Sequence, residues 1–173
     1  FAAAEKNELP VTIHIATQEG GMYGLVDELG LKRLEIVLQK FPNLKILGHS
    51  QAFWSHMSSD VNASNWGGYP TGPVARPGRI AELMRKYDNL LGDFSAGSGL
   101  NSLTRDPSFA YEFIDEFQDR VFYGTDLCQP KNRNSSIFFG LRDFLKNGLE
   151  EKKISQAAYE KVTHLNAERL LGL

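Results

Sequence analysis

Cysteine is almost absent from this chain: Cys128 stands alone, so no internal disulfide framework can hold the fold. A long apolar run is also missing, and nothing approaches the roughly 20 residues of a membrane span. The first residues, FAAAEKNELP, lack both the basic start and the apolar middle of a secretory signal. Charge of one sign does not predominate either. Nineteen Lys and Arg stand against 21 Asp and Glu, for a net charge of -2, and the two signs are interspersed. No global field therefore points to nucleic acid or an anionic membrane as a partner. Low-complexity segments and linkers are missing as well. What remains is 173 residues, 42% hydrophobic and 23% charged, the composition of an ordinary globular domain. The expectation is one domain over 1–173, in the cytoplasm.

The most informative stretch is Arg120 to Leu127, RVFYGTDL. Val121, Phe122 and Tyr123 form a short uninterrupted apolar run, the pattern of a parallel strand covered on both faces. Gly124 allows close approach, and Asp126 then stands at the C-terminal tip, where parallel α/β folds place their chemistry. Taken alone, Asp126 fits a helix cap equally well.

The same design recurs along the chain. In Leu9 to Ala16, Val11, Ile13 and Ile15 alternate with Thr12 and His14, which sets His14 near a strand end on the face away from the aliphatics. Gln18 to Gly24 reads as a glycine-rich loop. Leu31, Leu34, Val37, Leu38 and Phe41 recur at three and four, a helix with one buried stripe that Pro42 stops. Asn43 to Ser50 is a second strand, ending on His49. Gln51 to Gly72 is a long loop holding Phe53, Trp54, Trp66 and Tyr69. Ile80, Leu83, Met84 and Tyr87 mark the next helix, with Pro77 as an early helical residue. Leu90 to Ala96 is the third strand, and Gly97, Ser98 and Gly99 open another loop. Asp106 and Pro107 start a helix carrying Phe109, Phe113 and Phe117, which leads into the fourth strand. A polar loop, Cys128 to Asn134, then precedes a helix from about Ser136 with Ile137, Phe138, Leu141 and Leu145 inward and Gly148 as its stop. Ser155 caps a further helix, and Asn166 a last helical turn. Four strand and helix units imply a parallel sheet with right-handed crossovers. His14, His49 and Asp126 then project from one rim, where they are able to bind a metal or move a proton.

Four motifs in this order, LPVTIHIA, NLKILGHS, VFYGTDL and NAERLLGL, resemble the C-terminal half of the amidohydrolase superfamily. The resemblance is to the amidohydrolase-related branch that includes aminocarboxymuconate-semialdehyde decarboxylase, resorcylate decarboxylases and several lactonases and hydratases. It implies an α/β fold of TIM-barrel type, here about strands five to eight with their helices. A divalent metal, zinc first and manganese second, is implied at the C-terminal face. His14 and Asp126 are the implied metal ligands. Asp126 also handles a proton, and His49 is the neighbouring catalytic histidine or a ligand to a second metal. The implied activity is metal-dependent hydrolysis of an amide or lactone. Non-oxidative decarboxylation of a small aromatic or unsaturated acid is the nearest rival.

That family begins with a His-x-His or a glutamate variant on its first strand, and this chain contains no His-x-His. Two ligands in place of four imply weak metal affinity for the half alone. The expected partner is a second half-barrel, either a copy of the chain or an N-terminal part. An inactive binding or assembly module is the third reading. Trp54 and His56, in the long loop, are candidates for substrate contact, as is Arg76 for a substrate carboxylate. Loop anchors and a solvated helix start are their ordinary roles. Asp93 is expected in a loop or supporting position. Cys128 reads as a small buried filler.

Overall fold

Strands in this protein all run in one direction, and most are short. The computed structural model describes residues 1–18, 23–132 and 136–173. In chain order the elements are α1 (Ala2–Lys6), β1 (Val11–Ala16), β2 (Leu25–Val26), α2 (Lys32–Lys40), β3 (Ile46–His49), α3 (Gln51–Trp54), α4 (Arg79–Lys86), β4 (Leu90–Asp93), α5 (Ala96–Thr104), α6 (Pro107–Phe117), β5 (Val121–Phe122), α7 (Ser136–Glu150), α8 (Gln156–Glu160) and α9 (Asn166–Leu171). The sheet has five strands in the order β2-β1-β3-β4-β5, every pair parallel. Among the described residues no helix is long and apolar enough to cross a membrane.

Alternation along each strand divides the sheet into two faces. Ile13, Ile15, Ile46, Leu90 and Val121 point to the helix-covered face and join the main core. Leu47, Leu91 and Phe122 point the other way and form a small cluster against Ala167 and Leu170 of α9. Gly48 and Gly92 leave a slot on the core face. A Cβ at Gly48 would strike the Phe53 ring, and one at Gly92 would come within 2.9 Å of the Trp54 indole. Phe53 and Trp54 fill that slot, and Trp54 stacks on Phe94 with ring centroids 4.6 Å apart.

The expected helices form, with instructive differences. Asp106 caps α6 by accepting the Phe109 N–H, and Ser155 caps α8 in the same way from Ala158. Beyond the end of α4, the Asn89 amide donates to the Leu38 and Phe41 carbonyls and so closes the end of α2. Four strands were expected and five form, because β2 adds a two-residue pairing beside the end of β1. The loop expected from Gln51 begins as helix α3, because its aromatic pair has a core slot to enter. Gly97 to Gly99 lie inside α5 rather than in a loop, since Gly99 packs directly on the Phe94 backbone. Gly148 lies within α7 and leaves room for the Tyr111 ring instead of stopping the helix. Pro77 precedes α4 in a bridge with Ser58. Leu141 and Leu145 are buried as expected, whereas Ile137 is exposed. The side chain of Phe138 and the loop positions 19–22 and 133–134 lie outside the described residues.

Candidate active site

His14 on β1 and His49 on β3 are register partners, so the two imidazoles leave the sheet on the same face. Their ring centroids are 5.6 Å apart. This is the face opposite the main core, at the C-terminal rim, above the apolar layer of Leu47, Leu91 and Phe122. His14 Nδ1 is buried and has no hydrogen-bond partner among the described residues. Tyr23 lies over the ring at 4.3 Å. The chain returns past His14 through Gly24, whose φ of +121° suits glycine, and a Cβ there would sit 2.8 Å from Nδ1. Burial lowers the His14 pKa and the neighbouring His49 lowers it further, with Asp126 and the Tyr23 backbone opposing.

His49 is held by β4. Its Nδ1 lies 3.2 Å from Asp93 Oδ2 and 3.2 Å from Ser95 Oγ. Ser95 in turn donates its hydroxyl to Asp93 Oδ2 at 2.8 Å and its backbone N–H to Asp93 Oδ1 at 2.9 Å. Burial alone would lower the His49 pKa. The hydrogen bond and charge of Asp93, with Asp126 adding, outweigh it and hold the imidazole above its ordinary value. Burial likewise works to raise the Asp93 pKa, but His49 and the two Ser95 donors bring it below the usual carboxylate value. Beyond His49 the backbone is constrained: Ser50 has φ of +111°, which disfavours any side chain. Its hydroxyl donates to the Ile15 carbonyl at 2.8 Å and accepts the Phe53 N–H at 3.2 Å, which together hold that conformation.

Asp126 does not end a long strand. The strand expected over 120–127 shortens to β5, because the Tyr123 N–H leaves the sheet for the Val162 carbonyl. Asp126 follows in the loop, exposed and left-handed at φ of +53°. Its charge nevertheless acts on both His14 and His49. The rim therefore gathers two imidazoles and a carboxylate, with Asp93 and Ser95 behind one of them.

Other expected site residues lie elsewhere. Trp54 is 2% exposed and donates its indole N–H to the Asp93 carbonyl, so it supports the rim from within the core instead of forming a substrate wall. His56 is fully buried. Its Nδ1 bonds the Ala52 carbonyl at 2.7 Å and its Nε2 accepts the Gly30 N–H at 2.9 Å, which leaves no ring nitrogen for substrate. Arg76 is exposed in the segment before α4. Cys128 is exposed rather than buried. Sequence reasoning gave Asp93 no named partner and passed over Ser95, although Asp-x-Ser at a strand end is a local turn signal. A cleft of about 920 Å³ opens at the other end of the sheet, beside Pro10, Lys45, Asp88 and Arg120, and no rim residue lines it. Parallel sheets carry their chemistry at C-terminal strand ends, so the rim is the candidate site.

A family model for amidohydrolases matches residues 1–173. The chain belongs to the amidohydrolase family. Comparison with curated proteins gives no match. Amidohydrolases of this family are generally enzymes, hydrolases or decarboxylases, that typically use divalent metals. In this amidohydrolase the donor chemistry at the rim fits such an ion: a buried imidazole nitrogen lacks a partner, and a carboxylate faces it electrostatically. The fit is incomplete, because among the described residues no three His, Cys, Asp or Glu side chains stand close enough together to hold a metal by themselves.

Proposed function

We propose that this amidohydrolase is a metal-dependent hydrolase of an amide or lactone of a small organic acid. In this reading residues 1–173 are one domain, the C-terminal half of a TIM barrel of the aminocarboxymuconate-semialdehyde decarboxylase-like type. The observation that supports it best is the in-register pairing of His14 with His49 at the C-terminal rim, with the charge of Asp126 on both. His14, through its unpartnered Nδ1, and Asp126 would hold the divalent cation, zinc before manganese. Such an ion supplies Lewis-acid polarisation of a carbonyl and a lowered pKa for water. His49 accepts the proton released when water adds to the carbonyl and returns it to the departing nitrogen or oxygen. Asp93 keeps the ring aligned for both transfers.

One observation favours a second reaction. Asp93 holds the His49 pKa above its ordinary value, which suits an acid that delivers a proton to carbon as carbon dioxide leaves. Non-oxidative decarboxylation of a small aromatic or unsaturated acid is therefore the alternative. A panel of lactones, amides and hydroxybenzoates, offered to zinc-loaded full-length protein, separates the two by ring-opened or cleaved acid against released carbon dioxide. Neither product from any member of the panel would overturn both.

The open sheet has β2 and β5 at its edges, and such edges pair with other chains. We propose that the half-barrel pairs with a second one, a copy of itself or an N-terminal part. Sedimentation of the chain as a well-folded monomer of 19.4 kDa would count against self-pairing.

A further inference from the structure

We propose that Asp93, aided by Ser95, is a positioning residue that fixes His49 as the Nδ1–H tautomer and leaves Nε2 as the ring nitrogen with a free lone pair. The proposal deepens the reading above, since it takes His49 as the group that moves protons, but it stands on hydrogen-bond geometry alone. Three polar atoms meet here: His49 Nδ1, Asp93 Oδ2 and Ser95 Oγ. Asp93 as a carboxylate can only accept. Ser95 has one hydroxyl proton, and its oxygen lies closest to Asp93 Oδ2, at 2.8 Å. If that proton goes to Asp93, the Nδ1 proton of His49 is shared between Asp93 Oδ2 and the Ser95 oxygen, and every atom is satisfied. If instead Nδ1 were bare, Ser95 would have to donate to it, and Asp93 Oδ2 would face two acceptors with no proton between them. Only the first arrangement leaves all three of these partly or fully buried groups paired.

Room for this arrangement comes from the loop between β5 and Asp126. A Cβ at Gly124 would lie 3.0 Å from Ser95 Cβ and 3.2 Å from Asp93 Oδ1, so the glycine of the GTD motif lets the Asp93 turn sit against the loop that follows β5. The backbone N–H of Ser95 holds Oδ1, which identifies Oδ2 as the oxygen turned to His49.

That asymmetry makes an isosteric substitution decisive. In Asp93→Asn the side-chain oxygen stays on the Ser95 N–H and the amide NH₂ takes the place of Oδ2. An amide donor facing Nδ1 drives the ring proton onto Nε2, so the tautomer should reverse without a change in shape. Long-range proton–nitrogen correlation spectra of the four histidines, recorded on the metal-free chain at alkaline pH where imidazoles are neutral, report which nitrogen of each ring carries the proton. His49→Gln identifies the His49 signals by their loss. The expected result is Nδ1–H for His49 in the unmodified chain, Nε2–H in Asp93→Asn, and Nδ1–H retained in Ser95→Ala. An Nε2–H His49 in the unmodified chain overturns the proposal even if Asp93→Asn fails to fold. Reversal in Ser95→Ala but not in Asp93→Asn overturns it too. Zinc uptake by the same samples, measured by plasma mass spectrometry, tests the metal reading separately, because the tautomer does not depend on whether His14 and Asp126 bind an ion.

Discussion

The rim of the sheet and the loop behind it each bury a histidine, and the two are satisfied in opposite ways. His56 spends both ring nitrogens on backbone groups, the Ala52 carbonyl and the Gly30 N–H, and thereby ties the entry to α2 onto α3. His49 spends only Nδ1, on a carboxylate and a hydroxyl from the next strand, and among the described residues nothing holds Nε2. Burial pushes the first pKa down against the pull of the Ala52 carbonyl, and a carboxylate partner brings the second up against burial. Burial alone therefore does not mark a histidine as structural. What separates them is whether a ring nitrogen is left over and whether the group behind the ring carries charge.

His49→Ala should test that contrast most severely. It removes a proton carrier, and the rate on whichever substrate class turns over should fall by about 10²–10⁴-fold while the melting temperature changes little. A variant that keeps full activity per folded molecule and melts well below the unmodified chain would reverse the two roles. Trp54→Ala probes the support under the same rim, since the indole fills the slot over Gly92 and holds the Asp93 carbonyl. Its cost should be about 3–5 kcal/mol in urea unfolding, as for other large aromatic deletions. A loss under about 1 kcal/mol would mean that Trp54 is not the core residue described. His56→Ala strands the Gly30 N–H, so it should cost about 1–3 kcal/mol in the same measurement and leave activity per folded molecule unchanged.

Much of this architecture could be read in the chain before folding. Val11, Ile13 and Ile15 alternate with Thr12 and His14, and period two alone sets His14 on the face away from the aliphatics. Asp106 before Pro107 announces α6 because both residues act locally, one through its side-chain oxygen and one through its fixed φ. Other features depend on distant partners and left no local trace. Leu25 and Val26 form β2 only because the end of β1 offers them an edge. Phe53 and Trp54 read as loop aromatics, since the slot they fill is made by Gly48 and Gly92 on two other strands. Gly97 and Gly99 look like a flexible stretch until the close approach to Phe94 explains them. At the rim, His14 and His49 were legible as strand ends, but the Asp93 and Ser95 hold on His49 spans β3 to β4. Asp126 was expected on the strand itself, and the turn of Tyr123 towards Val162 places it in the loop instead.

The smallest expected effect sharpens the histidine contrast through stability against pH. His56 is held below the ordinary imidazole value of 6.5 by burial, with the Ala52 carbonyl and Asp27 opposing and Arg79 assisting. Below 6.5 the unfolded chain takes up a proton that folded His56 refuses, so stability should fall as pH drops, until the folded value is passed. His49, held above 6.5, contributes the other sign. Its folded form keeps a proton that the unfolded chain releases, so that stability is fully present below 6.5 and is lost as pH rises through the folded value. Each group alone is limited to a slope of about 1.4 kcal/mol per pH unit. Thermal melts of the metal-free chain across this range should therefore show an acid limb and an alkaline limb meeting near the ordinary value. His56→Gln should flatten the acid limb without abolishing it, because His14 is also lowered and titrates in the same direction. His49→Gln should remove the alkaline limb and leave the acid one. If His49→Gln instead flattens the acid limb, then Asp93 does not outweigh burial at that ring, and the charge behind His49 cannot be what distinguishes it from His56.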